Sequence, residues 1–228
     1  MSLQEAWEQH AENWVRWART PDHDSYWRFH REPFLSIMPP AGRLTLDIGC
    51  GEGRVTRDLS ELGHRVVGID SAPSMIHAAR EADPAGEYIE ANAAELPFAD
   101  GAADLVVAFM SLMDMDDMPA VVQEIGRVLA TGGRLCAAVV HPINTAGKFQ
   151  DDGRFRIESY LDRRVVVDEV ERGGLTMTFH ARHLILEDYS RAFEQAGFLW
   201  EHSREIYEDG HANWSRVPLF LDVVAVKA

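Results

Sequence analysis

The sequence predicts an α/β domain built on an open, mostly parallel sheet, and three observations predict it. From residue 43 onward, apolar runs of strand length alternate with helical stretches, the pattern of parallel strands joined by crossover helices. The first of these runs, LTLDIGCGEGR at residues 44–54, passes through an acid and three alternate glycines directly into a helical stretch. The last two predicted strands follow one another with no helix between them, which places an antiparallel pair at the sheet edge. A chain of 228 residues is one domain with at most a modest insertion, and it is long enough to bury an ample core.

The elements follow in order. Residues 4–20 carry Trp7, Trp14, Val15 and Trp17 at helical spacing; residues 21–24 break the pattern, and 25–38 read as a second helix before the stop Pro39-Pro40-Ala41-Gly42. This aromatic leader either packs on the sheet by its tryptophans or forms a lid over a site. Strand 44–48 leads to helix 54–62, which Gly63 ends, and strand 65–69 follows, closing at Asp70. Helix 74–82, with Ser71 or Ser74 as N-cap, precedes a short strand at 87–90 and a fully apolar one at 105–109 of the buried parallel kind. Helix 118–129 stops at Thr131-Gly132-Gly133, and 134–140 is another buried strand. Residues 142–182 then lose the alternation. Segments 163–171 and 175–183 alternate in polarity around Gly173-Gly174, a β-hairpin pattern. Helix 187–196 ends at Gly197, and strands 198–207 and 218–226 are joined by a turn near Asp209-Gly210. The single domain thus divides into a helical leader (1–42), a core (43–141), a cap insertion (142–183) and the remainder of the core (184–228).

The formal charge of −15 opposes a nucleic-acid or anionic-membrane partner, since both are bound through basic surface. With 46% apolar and 26% charged residues, the composition is that of an ordinary soluble globular protein. No secretion signal or membrane-length apolar run is present, and the two cysteines, Cys50 and Cys136, have no metal-ligand spacing; a reduced, cytoplasmic setting, no metal, and a monomer or homodimer are expected.

The glycine loop carries the chemistry. Glycines admit positive φ and let a ligand lie against the main chain, and the following helix offers free N–H groups. Dinucleotide sites use G-x-G-x-x-G, but here Arg54 stands where the third glycine belongs, and the run is D-x-G-x-G-x-G. A cationic, phosphate-free nucleoside suits an acid beside the loop better.

Further segments extend this. VVGIDSAPSMIHAAR sets Asp70 seventeen residues past Gly53, EANAAELPFADGAADLVVAF follows, and EIGRVLATGGRL closes the series. Four motifs in this order resemble class I methyltransferases that use S-adenosylmethionine (SAM). The likeness is strong over residues 43–141 and weaker through DYSRAFEQAGF and the last strands. It implies a Rossmann-like seven-stranded, mostly parallel sheet with the last strand antiparallel, helices on both faces and cofactor at the carboxyl ends of the first strands. It also implies that Asp47 holds the loop and approaches the cofactor's amino end, that Gly49, Cys50, Gly51 and Gly53 bind the cofactor, that Asp70 takes the ribose hydroxyls with Ser71 beside it, and that Asn92 and Ala93 hold adenine. In this sequence Asn92 replaces the family's aspartate and Thr131 its proline. Phe109, Met110 and Ser111 should face the methionine half of the cofactor, with Ser111 also a candidate for the acceptor pocket.

Catalytic candidates are His141, at the carboxyl end of a strand, and Asp114, where relatives often carry histidine. The bland readings are a structural histidine and a helix-capping acid. Tyr26, Trp27, His30 and His180 are candidates for the acceptor pocket. The implied reaction moves a methyl group from SAM to a small-molecule acceptor and leaves S-adenosylhomocysteine (SAH). The alternative is a catalytically silent SAM- or SAH-binding protein that acts by association.

Overall fold

The computed structural model describes residues 2–228; Met1 lies outside them. Helix α1 (Leu3–Arg19) is opened by a capping box in which Ser2 and Glu5 satisfy each other's backbone N–H. A wide π-helical turn, Tyr26–His30, runs into α2 (Arg31–Leu35). The predicted second helix is therefore interrupted: the Arg31 amide reaches back to the Tyr26 carbonyl, and the turn seats Tyr26 and His30 on the sheet.

The core alternates as expected: β1 (Thr45–Ile48), α3 (Arg54–Glu61), β2 (Val66–Asp70), α4 (Pro73–Ala82), β3 (Glu87–Glu90), β4 (Ala103–Phe109), α5 (Met118–Val128) and β5 (Leu129–Val140). The cap holds α6 (Pro142–Ala146), the hairpin β6 (Gly147–Phe149) with β7 (Phe155–Ile157), and the hairpin β8 (Arg164–Arg172) with β9 (Leu175–His183). Helix α7 (Leu186–Gln195) and strands β10 (Phe198–Ile206) and β11 (Phe220–Lys227) complete the sheet. Its order is β10-β11-β5-β4-β1-β2-β3. Strand β11 runs antiparallel to both β10 and β5, and the remaining pairs are parallel, as the resemblance implies.

Two local readings change. Neither Ser71 nor Ser74 caps α4. Ala72 holds that position, and the Asp70 carboxylate accepts its N–H at 2.9 Å. Nor does Thr131-Gly132-Gly133 end α5: the helix passes directly into β5 at Leu129, and the pairing jumps from Ala103↔Leu129 to Leu105↔Arg134, leaving residues 130–133 as a bulge with Gly132 at φ +79°.

The sheet is covered on both faces. One apolar cluster joins β1, β4 and β5 to α5 and α7 through Leu46, Val106, Ile125 and Phe193. The other seats Tyr26 and Phe34 of the leader against Val107, Phe109 and Ala138. A parallel sheet needs this double cover, and it leaves the carboxyl strand ends as the open rim. Among the described residues no helix is long and apolar enough to cross a membrane.

Candidate active site

Strand β1 delivers Asp47 to the rim, where its carboxylate accepts the Thr56 hydroxyl of α3 at 2.7 Å. Gly49, Gly51 and Gly53 follow at φ +70°, +55° and +85°, backbone that a side chain would strain. A Cβ on Gly49 would also lie 2.5 Å from the Ser111 Cβ. The loop is tied to β2: the Gly49 and Cys50 amides both donate to the Ile69 carbonyl, at 2.7 and 3.0 Å. At the end of β2 the Asp70 carboxylate accepts the Gly51 amide at 2.8 Å, besides that of Ala72. Burial raises the pKa of both acids, and that of Asp47 is pushed up to about 7.

These groups form one end of a cavity of about 1100 Å³. Asn92 and Ala93 after β3, and Phe109, Met110 and Ser111 after β4, extend its wall. Met110 holds φ +54°, a strained backbone for a side-chain-bearing residue and one that commonly marks a functional bend. The Ser111 hydroxyl donates to the Ile48 carbonyl at 2.7 Å and pins that bend to β1. Trp7, Trp14 and Trp17 of α1 roof the cavity; a Cβ on Gly51 would lie 3.3 Å from the Trp14 indole nitrogen. Phe179 of β9 meets Trp14 and Trp17 edge to face, with ring centroids 6.1 Å apart in each pair, so leader and cap close over the cavity together.

Comparison with known proteins fits this geometry. Residues 46–137 match the model of a family described as methyltransferase domain, and they run from β1 into β5. Over these residues the chain is similar to the class I SAM-dependent methyltransferases. An uncharacterized methyltransferase of Synechocystis sp. is 32% identical over 116 residues, which are 50% of this chain and 55% of that protein. An O-methyltransferase of Aspergillus sclerotiorum is 38% identical over 118 residues, 49% of this chain and 45% of that one. The chain thus matches about half the length of these curated relatives. The crystal structure of a SAM-dependent methyltransferase from Mesorhizobium loti superposes with a TM-score of 0.71 over 90% of this chain and 99% of that one, at 23% identity, a likeness of fold.

The methyltransferase cofactor is SAM, and the donor set suits it. Two carboxylates, Asp47 and Asp70, flank the glycine loop, an arrangement that favours a cation and ribose hydroxyls and repels a pyrophosphate. Asp70 is held in place by two amides and keeps lone pairs for hydroxyl donors. Asn92 departs from the expectation in one respect: its amide oxygen already accepts the Ala94 N–H at 2.9 Å, which leaves it one lone pair for an adenine.

The structure gathers ten sequence-predicted cofactor residues, Asp47, Gly49, Cys50, Gly51, Asp70, Ser71, Asn92, Ala93, Phe109 and Met110, along the cavity; Gly53 does not line it, and a Cβ there would lie 2.8 Å from the Tyr88 hydroxyl. Asp114 and Ser111 also line it. His141 does not. It is buried as the N-cap of α6, its Nδ1 accepts the Ile143 N–H at 3.1 Å, and its Nε2 faces Glu205 at 3.2 Å on β10. Burial lowers its pKa. Of the expected acceptor-pocket residues, Tyr26 and His30 are fully buried in the core beneath. Tyr26 donates to Asp58, and His30 pairs with Asp222 at 2.7 Å. Trp27 is outside, 46% exposed, its indole on the Ala18 carbonyl. His180 stacks on His10 at 5.5 Å rather than lining the cavity. The wide turn explains the exchange: with Tyr26 and His30 facing the sheet, Arg28 and Phe29 face the cavity instead.

Arg54 was visible only as the residue that breaks the dinucleotide spacing. In the fold it is buried, paired with Asp24 at 2.8 Å, and its guanidinium lies 4.9 Å from the Trp14 ring centre and 4.8 Å from that of Tyr26. It fastens the leader to the start of α3, and its only advance signal is an arginine at the first position of a helix beside an aromatic leader.

Proposed function

We propose that this chain transfers the methyl group of SAM to a small-molecule acceptor, an oxygen or nitrogen nucleophile, by in-line displacement. The observation that carries this reading is the single cavity that runs from Asp70 to the cap. At about 1100 Å³ it exceeds the usual span of roughly 300–1,000 Å³ for one ligand and has room for an acceptor beside a nucleoside. When bound, SAM supplies a methyl group already attached to a good leaving group. The residues therefore act mainly by alignment. Asp70 and the glycine loop orient one end. The tryptophans of α1 and the inner face of β8 and β9 shut out water. Support from relatives is of the same kind: the Aspergillus protein bears the name O-methyltransferase.

The test is calorimetric titration with SAM, SAH and NAD, followed by an acceptor screen with labelled methyl. Binding of SAM and SAH but not NAD, and label in a small product, is the expected result. No SAM binding would sink the reading; binding with no acceptor across a broad screen would favour the silent binding protein.

A further inference from the structure

The acceptor half of the cavity has a one-sided charge inventory. Five arginine and lysine side chains line the cavity, and all are engaged. Arg28 pairs with Glu208, Arg54 with Asp24 at 2.8 Å and Lys148 with Glu158 at 3.1 Å. Arg164 donates to the Thr145 carbonyl at 2.9 Å and Arg172 to that of His23 at 2.6 Å. The first three are neutralised by acids, whereas Arg164 and Arg172 are held on backbone carbonyls and keep their charge.

Most cavity acids are satisfied too. Asp47 and Asp70 hold a hydroxyl and two amides, and Glu52 is paired with Arg19 and Arg57. Asp114 is different. It ends the short turn after β4, the surface it keeps is cavity wall, and among the described residues no donor reaches its carboxylate. Burial raises its pKa well above the usual carboxylate range, which is what an enclosed acid without a counter-charge does. Asp117 and Asp168 also line the cavity with no ion pair among the described residues, but both are exposed, and Asp117 caps α5. An enclosed carboxylate without a partner is costly unless a cation arrives with the ligand. Aromatic rings complete the environment: Phe149 and Trp214, 5.0 Å apart, line the same cavity with Phe29 and Phe220, and such faces attract organic cations.

We propose, resting on the reading above, that the acceptor is a small organic amine whose ammonium group pairs with Asp114. The balance is simple. The ammonium gives one proton to the Asp114 carboxylate or to water. The neutral nitrogen's lone pair then forms the N–CH3 bond as the S–CH3 bond breaks, and the positive charge passes from sulfur to the methylated nitrogen. A carboxylate or phosphate ester seated at Asp114 would meet an unpaired acid.

The experiment is calorimetry on the full chain saturated with SAH, using three probes of one shape: 2-phenylethylamine, 2-phenylethanol and 3-phenylpropanoate. The expected result is that the amine binds at least tenfold more tightly than the alcohol and that the carboxylate does not bind. In Asp114→Asn this preference should disappear while SAH affinity stays within about threefold. Asp114→Glu, which keeps the charge, should retain part of the preference. Equal binding of amine and alcohol to the wild-type chain, or an amine that does not bind, overturns the proposal without any variant. So does a preference that survives in Asp114→Asn, or a variant that loses SAH and leaves the probes unchanged, since Asp114 then serves the cofactor. Failure of the wild-type chain to bind SAH overturns the cofactor reading and this one with it.

Discussion

The Asp70 carboxylate accepts the Gly51 amide at 2.8 Å, so the acid that closes β2 and the middle glycine of the loop after β1 form one unit. Two motifs nineteen residues apart in the chain are thereby fixed relative to each other before any ligand arrives. A hydrogen bond to a charged group contributes about 1.5–3 kcal/mol, and its loss leaves the loop amide without a partner. Asp70→Ala should therefore weaken SAH binding by about ten- to a hundredfold in calorimetry. Asp70→Asn, which still offers one acceptor oxygen, should lose less. Equal SAH affinity in all three proteins would show that Asp70 only organises the loop.

Asp47 makes a prediction about pH. Its pKa in the folded chain is raised to about 7, chiefly because it is buried. Between roughly pH 4 and pH 7 the folded chain holds a proton that the unfolded chain has released, so the unfolded state binds fewer protons there. Stability from this group is full at the acid end of that window and falls as pH rises through it, by at most about 1.4 kcal/mol per unit. Asparagine keeps an oxygen for Thr56 without the charge. The Tm of unliganded Asp47→Asn minus that of wild type should grow more positive from pH 5 to pH 8 and level off beyond. A difference that is flat or falls with pH would mean that the acid is well solvated or paired in solution.

Much of this was legible in advance because it rests on local rules. Apolar runs with β-branched residues marked β1, β2, β4 and β5, and the acid–glycine spacing marked the loop. The hairpin came from period-two alternation around the Gly173-Gly174 turn, and its observed strands begin and end within a residue of the reading. What escaped depends on contacts distant in sequence. Strands β6 and β7 are three residues each and hold together through Phe149, Phe155 and Trp214, a cluster that spans the cap and the last loop. The direction of the π-helical turn is set by the sheet that Tyr26 and His30 pack against, not by their own spacing. His141 sits at the expected strand end, but helix α6 begins at the next residue and turns the imidazole into its cap.

The leader's attachment gives a third prediction. His30 and Asp222 are both fully buried and pair at 2.7 Å, joining the leader to β11 across 192 residues of chain. Removing one partner of such a pair leaves an uncompensated polar group and costs about 3–5 kcal/mol. Asp222→Ala should lower the unfolding free energy by that order in urea titration, and Asp222→Asn, which retains an acceptor for the imidazole, by less. The pair lies beneath the cavity rather than in its wall, so SAH affinity of the folded fraction should be unchanged. Loss of SAH binding in a folded Asp222→Asn protein would show that the leader's seat on the sheet controls the site.

His141 supplies the last. Its imidazole is committed at both nitrogens, to the Ile143 amide and to Glu205, and it does not line the cavity. A general base must come within hydrogen-bond reach of the proton it takes, and no acceptor seated in the cavity offers one to this ring. His141→Ala should therefore cost about 1 kcal/mol of stability through the lost helix cap and leave methyl transfer within about threefold once a labelled-methyl screen has supplied an acceptor. His141→Asn, with a side-chain oxygen able to cap α6, should recover most of that stability. A fall in kcat of a hundredfold or more in either variant, with SAH binding intact, would return His141 to the catalytic role that its place at the end of β5 suggests and would mean that α6 rearranges when substrate binds.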